Sequence, residues 1–494
     1  MIDQPRLAGR GDAPAWSCVF FALLLGMPGS ASGQERQMDS EFGQPNIVLI
    51  VADDLGYGEL GCQGNTEIPT PHIDALAESG VRFTQAYVTA PNCSPSRAGL
   101  LAGRFPTRFG YEFNPIGARN EDPGTGMPIS ERLLPELLHA AGYTTGLIGK
   151  WHLGGAADYH PQRHGFDYFF GFAHEGHYFE PFPWASTTTM LRKRVLPAAG
   201  GAGTRHSVTE NLIYSSHMGH DEPDYDANNP IVRNGQPVLE TEYLTDALAR
   251  EGRGFIEKYQ STPFFLALTF NAVHSPLQAK SSTVAELSHI EDVQRRIFAA
   301  MLVDLDRAVG RVLAKLEECA LDDNTIVVFL SDNGGPTKEL TSSNGLLREG
   351  KGSMYEGGLR VPMLVKWPGV AEPHTVCDEV VSSLDLLPTL CEAAGAEVPS
   401  DLDGVDMRPI FEGQENTMGR ILYWRQGGRA ALRKGGFKIV APQRKADNRS
   451  WELYNIESDI GESRDLSKQL PEVLEDLVRE WGRMDQQMLA PAFR

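Results

Sequence analysis

Four short apolar runs, each ending in side chains able to do chemistry, constrain the fold of this chain more than any other feature. Asn46–Ala52 runs into Asp53-Asp54, and Tyr143–Gly149 into Lys150-Trp151-His152. Phe264–Phe270 precedes Asn271-Ala272-Val273-His274, and Thr325–Leu330 runs into Ser331-Asp332-Asn333-Gly334-Gly335. Unbroken runs of this length suit strands buried on both faces, hence a parallel or mostly parallel sheet. Helical patterns alternate with them over Pro71–Ala77, Leu133–Ala141 (closed by Gly142) and Asp292–Glu318. Alternating strands and helices predict an α/β fold, a mostly parallel mixed sheet sandwiched by helices. In such folds the carboxyl ends of the strands gather the ligand site. The four polar clusters would then share one edge, although they are scattered between residues 53 and 335.

At 494 residues the chain is too long for a single compact core, so one large and one smaller domain are expected. Residues 1–33 read as a secretory signal. Arg6 and Arg10 precede the apolar run Trp16–Met27, and Gly29-Ser30-Ala31-Ser32-Gly33 supplies small residues for cleavage. Asp3 and Asp12 weaken the positive start, which leaves a retained N-terminal anchor as the alternative. No later segment reads as transmembrane, so a periplasmic or secreted location is expected. Residues 34–411 form the expected large domain. The stretch from about Phe179 to Asn234, poor in periodicity and rich in Gly, Pro and His, reads as loops over the site or an insertion shaping its entry. Residues 412–494 form a second subdomain, with short antiparallel strands at Ile421–Trp424, Arg429–Leu432, Phe437–Val440 and Trp451–Tyr454. A closing amphipathic helix follows at Leu470–Met484.

Six cysteines are too few for a disulfide scaffold, and no spacing suggests zinc. A Cys377–Cys391 bridge is one reading, and unpaired buried thiols are the other. The formal net charge of −20 argues against sequence-independent binding to nucleic acid or an anionic membrane. An acidic protein that binds an anion must build a local positive pocket.

Such a pocket is suggested by Cys93-Ser94-Pro95-Ser96-Arg97 followed by Ala98-Gly99-Leu100-Leu101-Ala102-Gly103-Arg104. A helix start offers unpaired N–H groups and a positive dipole end, both suited to an anion. Arg97 adds a planar fork matched to sulfate or phosphate oxygens. On these residues alone Cys93 is either a buried structural cysteine or a reactive one. Asp53, Asp54, Asp332 and Asn333 are hard oxygen donors at two strand ends, a set suited to Ca²⁺ or Mg²⁺. Any one of these acids alone is more often a cap or turn former. Lys150 and His152, two apart in an extended segment, face one way. Lys351 lies in the glycine-rich Gly350–Gly358, where backbone can approach a ligand. Taken singly, each lysine is as readily a solvated charge, and His274 a satisfied loop histidine.

Taken together, these motifs resemble the type I sulfatases, the formylglycine-dependent branch of the alkaline phosphatase-like superfamily. Cys93–Arg97 with its leucine-rich helix looks like the family's activation sequence. Ala52–Gly58 and Ser331–Gly334 look like its two metal motifs, and Gly149–Gly154 its Lys-Trp-His motif. Val273–Pro276 resembles its His-x-Pro loop, and Gly350–Gly352 with Tyr355–Gly358 its late lysine loop. The flavour is closest to the arylsulfatase A and N-acetylgalactosamine-6-sulfatase branch, also through Ser343-Asn344-Gly345. The resemblance implies that a maturation enzyme oxidises Cys93 to formylglycine, whose hydrated aldehyde attacks sulfur. It implies one Ca²⁺ held by Asp53, Asp54, Asp332, Asn333 and residue 93, with Arg97 holding the modified residue. It further implies that Lys150 and Lys351 bind sulfate oxygens, that His274 protonates the leaving alcohol, and that His152 takes a proton as sulfate is expelled. The expected substrate is a sulfated saccharide or an aryl sulfate.

One loop departs from that branch. Where the branch places a serine or similar polar residue after Gly171-Phe172, this chain reads Ala173-His174-Glu175-Gly176-His177-Tyr178. His177 is therefore a candidate substrate contact, and the identity of the substrate stays open. Two rivals remain: a phosphonate or phosphate ester hydrolase using the same formylglycine, and a non-catalytic sulfoglycan-binding protein, against which the intact Cys93 and full metal set argue.

Overall fold

The computed structural model describes residues 43–197, 204–414, 420–443 and 449–493; the expected signal segment lies outside them. At the centre is a ten-stranded sheet. Its order is Thr375–Ser382, Val81–Tyr87, Arg360–Lys366, Thr325–Ser331, Asn46–Ala52, Phe264–Thr269, Thr144–Lys150, Tyr168–Phe172, Val232–Arg233 and Gln236–Pro237. The five strands from Thr325–Ser331 to Tyr168–Phe172 pair in parallel. Arg360–Lys366 runs antiparallel to its neighbours. The four apolar runs are adjacent central strands, which explains their continuous hydrophobicity: a central parallel strand is buried on both faces.

Asn46–Ala52 shows how the faces divide. Val48, Ile50 and Ala52 pack with the helices Leu244–Tyr259 and Val293–Glu318 on one side. Ile47, Leu49 and Val51 pack with Cys93–Ala102, Leu134–Ala140 and Leu386–Ala394 on the other. Strand residues two apart share a face, so one strand serves both cores. The expected helices appear with end shifts of about a residue. Asp292 caps Val293–Glu318 by accepting from the Arg295 N–H.

Register aligns the strand ends. Ala52 sits opposite Ser331, Val51 opposite Thr269, and Thr269 opposite Gly149. The residues that follow each strand therefore emerge along one edge. Close backbone approach then brings in the 350–358 loop. A Cβ on Gly334 would lie 1.7 Å from the Gly357 carbonyl oxygen, and one on Gly350 would lie 2.1 Å from that of Gly335.

Two expectations need correction. The 179–234 stretch is not only loops. Thr187–Arg192, Arg205–Ser207 and Leu212–Ser215 join Leu277–Lys280 in a separate four-stranded sheet. Thr187–Arg192 is buried along its whole length, so it carries no period-two signal, and its partner Leu277–Lys280 is remote in sequence. The second correction concerns the cysteines. Cys62, Cys93, Cys319, Cys377 and Cys391 are unpaired. Cys377 lies in an edge strand and Cys391 is buried in a helix, so of the two readings the unpaired one holds and the bridge does not form.

The C-terminal region carries the expected antiparallel sheet, Ile421–Gln426, Arg429–Lys434, Phe437–Ala441 and Glu452–Asn455. Pro471–Asp485 packs on it through Leu477, Trp481 and Met484. No helix among the described residues is long and apolar enough to cross a membrane.

Candidate active site

The edge at the strand ends holds a cluster of buried charge. Asp53, Asp54, Asp332, Asn333, Lys150 and His152 are each no more than 1% exposed. Asp54 and His152 adopt left-handed backbone, φ 64° and 54°. Non-glycine residues sit there at a conformational cost and concentrate at functional sites.

Cys93 opens the helix Cys93–Ala102, which is buried throughout. Its Sγ lies 3.4 Å from Asp53 Oδ1 and 4.0 Å from Asp54 Oδ1. Burial drives the thiol well above its ordinary pKa, with Lys150 and Lys351 opposing. As a thiol it stays protonated, and a thiol is a poor nucleophile compared with a thiolate. Arg97, one helical turn on, donates from Nε to Asp332 Oδ2 at 2.8 Å and from Nη1 to the Lys150 carbonyl at 3.0 Å.

Lysines cover two of the carboxylates. Lys150 Nζ donates to Asp53 Oδ2 at 2.6 Å, both side chains fully buried. Lys351 Nζ donates to Asp54 at 2.8 Å. Burial raises the Asp54 pKa, but Lys351 and His274 outweigh it and hold the carboxyl below its usual range. Asp332 moves the other way, pushed up by burial and by the Asp53 charge. Arg97, Lys150 and Lys351 match these three carboxylates in charge, yet their close packing still leaves the Asp332 pKa raised.

The donor atoms of the cluster test the fit of a metal ion. Ligand atoms of Asp53, Asp54, Cys93 and Asp332 all lie within 4.8 Å of one another. Asn333 Nδ2 donates to Asp54 Oδ1 at 2.7 Å, while its Oδ1 is buried without a hydrogen-bond partner among the described residues. A buried acceptor without a donor is costly, and a hard cation would satisfy it. The donor set fits such an ion. Arg97 Nη2 is a second unsatisfied buried atom in the same cluster.

Two histidines complete the site. His152 Nε2 lies 3.0 Å from the Pro115 carbonyl, which can only accept, so Nδ1 is the unprotonated nitrogen. Burial and Lys150 hold the ring neutral. His274 Nδ1 lies 2.7 Å from the Ser275 carbonyl, which leaves Nε2, 3.6 Å from Asp54, facing the cluster. Burial and Lys351 push its pKa down.

Behind His274 stands a network the sequence did not announce. Arg192 donates to Tyr225 Oη at 2.8 Å and pairs with Glu222 and Glu339. Ser275 Oγ lies 2.8 Å from Tyr225 Oη and donates to Glu339 at 2.9 Å. The Tyr225 ring meets His274 edge-on, with centroids 6.0 Å apart. Ser275 was legible as the neighbour of His274; Arg192, Tyr225 and Glu339 carry no local signal. His177 is placed differently from the other candidates. Its Nδ1 lies 2.8 Å from the Tyr178 carbonyl and 3.2 Å from Asp226, and its ring packs on Phe172.

Comparison with known proteins agrees with this geometry. A family model described as Sulfatase matches residues 45–396, and one described as N-sulphoglucosamine sulphohydrolase, C-terminal, matches 350–487. Human arylsulfatase A is 37% identical over 385 residues, covering 77% of this chain and 70% of the relative. The N-acetylgalactosamine-6-sulfatase of Canis lupus familiaris is 33% identical over 438 residues, covering 86% and 76%. The crystal structure of Ps i-CgsB in complex with k-i-k-neocarrahexaose superposes with a TM-score of 0.78 at 37% identity, covering 91% of this chain and 94% of that one. The chain belongs to the sulfatase family, with its alkaline phosphatase-like fold. It is a sulfuric ester hydrolase.

Proposed function

We propose that this sulfatase releases sulfate from sulfated saccharides through a formylglycine derived from Cys93 and one bound Ca²⁺. The observation that carries the reading is the buried convergence of Cys93, three carboxylates, Arg97, two lysines and two histidines on one sheet edge. Asp53, Asp54, Asp332 and Asn333 would hold the ion, beside residue 93. When present, the ion supplies positive charge to sulfate oxygens, and the modified residue supplies the oxygen nucleophile. Arg97 Nη2 is a buried donor suited to an oxygen on residue 93.

The chain's own residues do the rest. Lys150 and Lys351 place preorganised positive charge where a sulfuryl group spreads its negative charge. His274 donates through Nδ1 to the Ser275 carbonyl, so Nε2 is the nitrogen that would carry a proton to the leaving alcohol. Burial first and Lys351 second keep this ring neutral, and an anionic ester beside Lys351 offsets the second of these and so favours protonation. His152, neutral and tethered through Nε2, accepts a proton at Nδ1. His177, turned to Asp226 and Phe172, belongs to the pocket wall in this reading. The cleft beside Lys351 is lined mainly by charged and polar side chains, which suits a sugar better than an apolar aglycone.

We assign residues 34–411 to the catalytic domain and 412–494 to the C-terminal subdomain, and expect export to the periplasm or beyond after removal of residues 1–33. The test is peptide mass spectrometry of active protein together with elemental analysis. Loss of the Cys93 thiol and one calcium per chain are expected. Full activity with an intact thiol, two zinc ions per chain, or turnover of phosphonates and not sulfates would each overturn the reading.

A further inference from the structure

A run of aromatic rings leads outward from His274. Tyr225 meets His274 with ring centroids 6.0 Å apart, and Tyr178 lies 6.0 Å from Tyr225. Trp184 follows at 5.0 Å from Tyr178, and Phe182 at 5.6 Å from Trp184. These spacings are those of rings in direct contact. Burial fades along the run. Tyr225 is buried, Tyr178 and Trp184 are half-buried, and Phe182 is 80% exposed. A contiguous aromatic surface that opens to solvent marks a binding site, whereas a single exposed apolar side chain does not.

The segment that carries these rings is fastened to the site. At Gly176 its backbone passes against the acid: a Cβ there would lie 2.8 Å from the Tyr225 ring and 3.3 Å from His274 Nδ1. Asn229 Nδ2 ties this turn down, donating to the Gly176 carbonyl at 2.8 Å and to the Tyr225 carbonyl at 2.9 Å. Further on, the Phe179 and Glu180 N–H groups both donate to Gln278 Oε1, at 2.7 and 2.9 Å. The Glu180 carboxylate accepts from Ser186 Oγ at 2.6 Å and Thr187 Oγ1 at 2.7 Å, which closes the loop bearing Phe182 and Trp184. Trp184 holds left-handed backbone, φ 57°. For a bulky residue that conformation is costly, and such residues concentrate at functional sites.

We infer that Tyr178, Trp184 and Phe182 form a stacking platform for an uncharged sugar ring linked to the sulfated one. The inference rests on the sulfated-saccharide reading of the site. With the leaving alcohol at His274, the rest of a saccharide chain extends from there, and the rings lie along that way out. A pyranose has apolar C–H faces and polar hydroxyls at its rim, so it packs on an aromatic face while its hydrogen bonds stay at the edge. Asp226, which accepts from the Tyr178 N–H at 3.1 Å, and Asp224 are exposed beside Tyr178. Their carboxylates can accept from sugar hydroxyls and would repel a second sulfate.

Calorimetry on the Cys93→Ala protein reads the platform without turnover. The probes are defined hexose and N-acetylhexosamine sulfates, each as the free monosaccharide and as the sulfated unit of a trisaccharide otherwise free of charge. For at least one pair the trisaccharide should bind on the order of tenfold tighter, the scale of one or two aromatic contacts. Phe182→Ala, which trims an exposed side chain, should cut this advantage about threefold. The double variant Phe182→Ala/Trp184→Ala should abolish it, and Phe182→Tyr should keep it. Monosaccharide affinity should stay constant in all three. An advantage absent from every pair, or unchanged in Phe182→Ala, would overturn the platform. So would an equal advantage for trisaccharides sulfated on the added units. Sulfate release from the monosaccharides by matured wild-type protein, with no trisaccharide advantage, would remove the platform and keep the hydrolase reading. The advantage without any sulfate release would do the reverse.

Discussion

Two clusters of buried charge among the described residues are built differently. The first is the strand-edge cluster around Asp53, Asp54 and Asp332. The second lies under the C-terminal sheet. There Lys438 Nζ donates to Glu356 Oε1 at 2.8 Å and lies 3.0 Å from Glu462 Oε1. Tyr87 Oη donates to Glu356 Oε2 at 2.6 Å, and the Glu356 N–H donates to Glu462 Oε2 at 2.6 Å. Arg433 donates to Tyr87 Oη, and Arg360 Nε donates to the Thr84 carbonyl at 2.6 Å. There Glu356 and Glu462 share Lys438, and Glu462 Oε1 relies on that ion pair alone. At the strand edge three carboxylates crowd together, and Asn333 Oδ1, Arg97 Nη2 and His152 Nδ1 stay unsatisfied. One cluster closes on itself and ties two sheets together. The other leaves more of its buried polar atoms without a partner among the described residues.

The largest expected effect separates the two. Cys93→Ala should cut sulfate release by on the order of 10⁴-fold or more, with the thermal midpoint shifted by only a few degrees, on the order of a 1 kcal/mol change. A midpoint collapse with activity per folded molecule intact would place Cys93 among structural residues, and the contrast between the clusters would fail.

Next comes the leaving group. His274→Ala should slow esters of weakly acidic sugar alcohols by roughly 10²–10⁴-fold, and esters of acidic phenols much less, because a phenolate needs little protonation. Equal losses across a leaving-group series would reduce His274 to a binding residue. Tyr225→Phe, which removes a hydroxyl beside Ser275, should shift the same series in the same direction by a smaller amount. Unaltered kinetics in that variant would detach the Arg192 network from His274.

In the second cluster the effect should appear in stability. Lys438→Met leaves Glu356 and Glu462 buried without their shared cation. Breaking a buried pair typically costs about 3–5 kcal/mol, measurable as a lower denaturant midpoint. Turnover per folded molecule should hold. A stable Lys438→Met protein with impaired catalysis would reverse the roles assigned to the two regions.

The smallest effect is a pH slope. Burial pushes the Glu462 pKa up to about 7, with Lys438 opposing and Glu356 reinforcing. A carboxyl whose folded pKa is raised binds more protons folded than unfolded, so its contribution weakens stability as pH rises from about 4.5 to about 7. Glu462→Gln should flatten that slope by on the order of 1 kcal/mol, read from denaturation at pH 5 and pH 7. An unchanged slope would mean that Lys438 already holds Glu462 ionised across the range.

Much of the active site was legible because its parts are local. Asp53-Asp54, Lys150 to His152, His274 and Asp332-Asn333 each follow an apolar run that can only be a buried strand, and such strands deliver their ends to one edge. The Cys93–Arg97 turn announces itself through residue types whose spacing suits a helix start. His177 is less legible, since a histidine in a loop reads alike whether it faces a ligand or Asp226.

What the sequence determined by itself is this set of segments: which runs are strands, where each helix begins, and which side chains stand at the ends. What only the tertiary structure decided is their neighbours. Thr325–Ser331 pairs with Asn46–Ala52 across nearly the whole domain, and that pairing brings Asp332 to Asp53. The same holds for Thr187–Arg192 against Leu277–Lys280, and for Arg192 and Glu339 behind His274. The reason is physical: periodicity and capping act over a few residues along the chain. Pairing and burial act between surfaces that meet only once the whole sheet has formed, and no local pattern records which surfaces those will be.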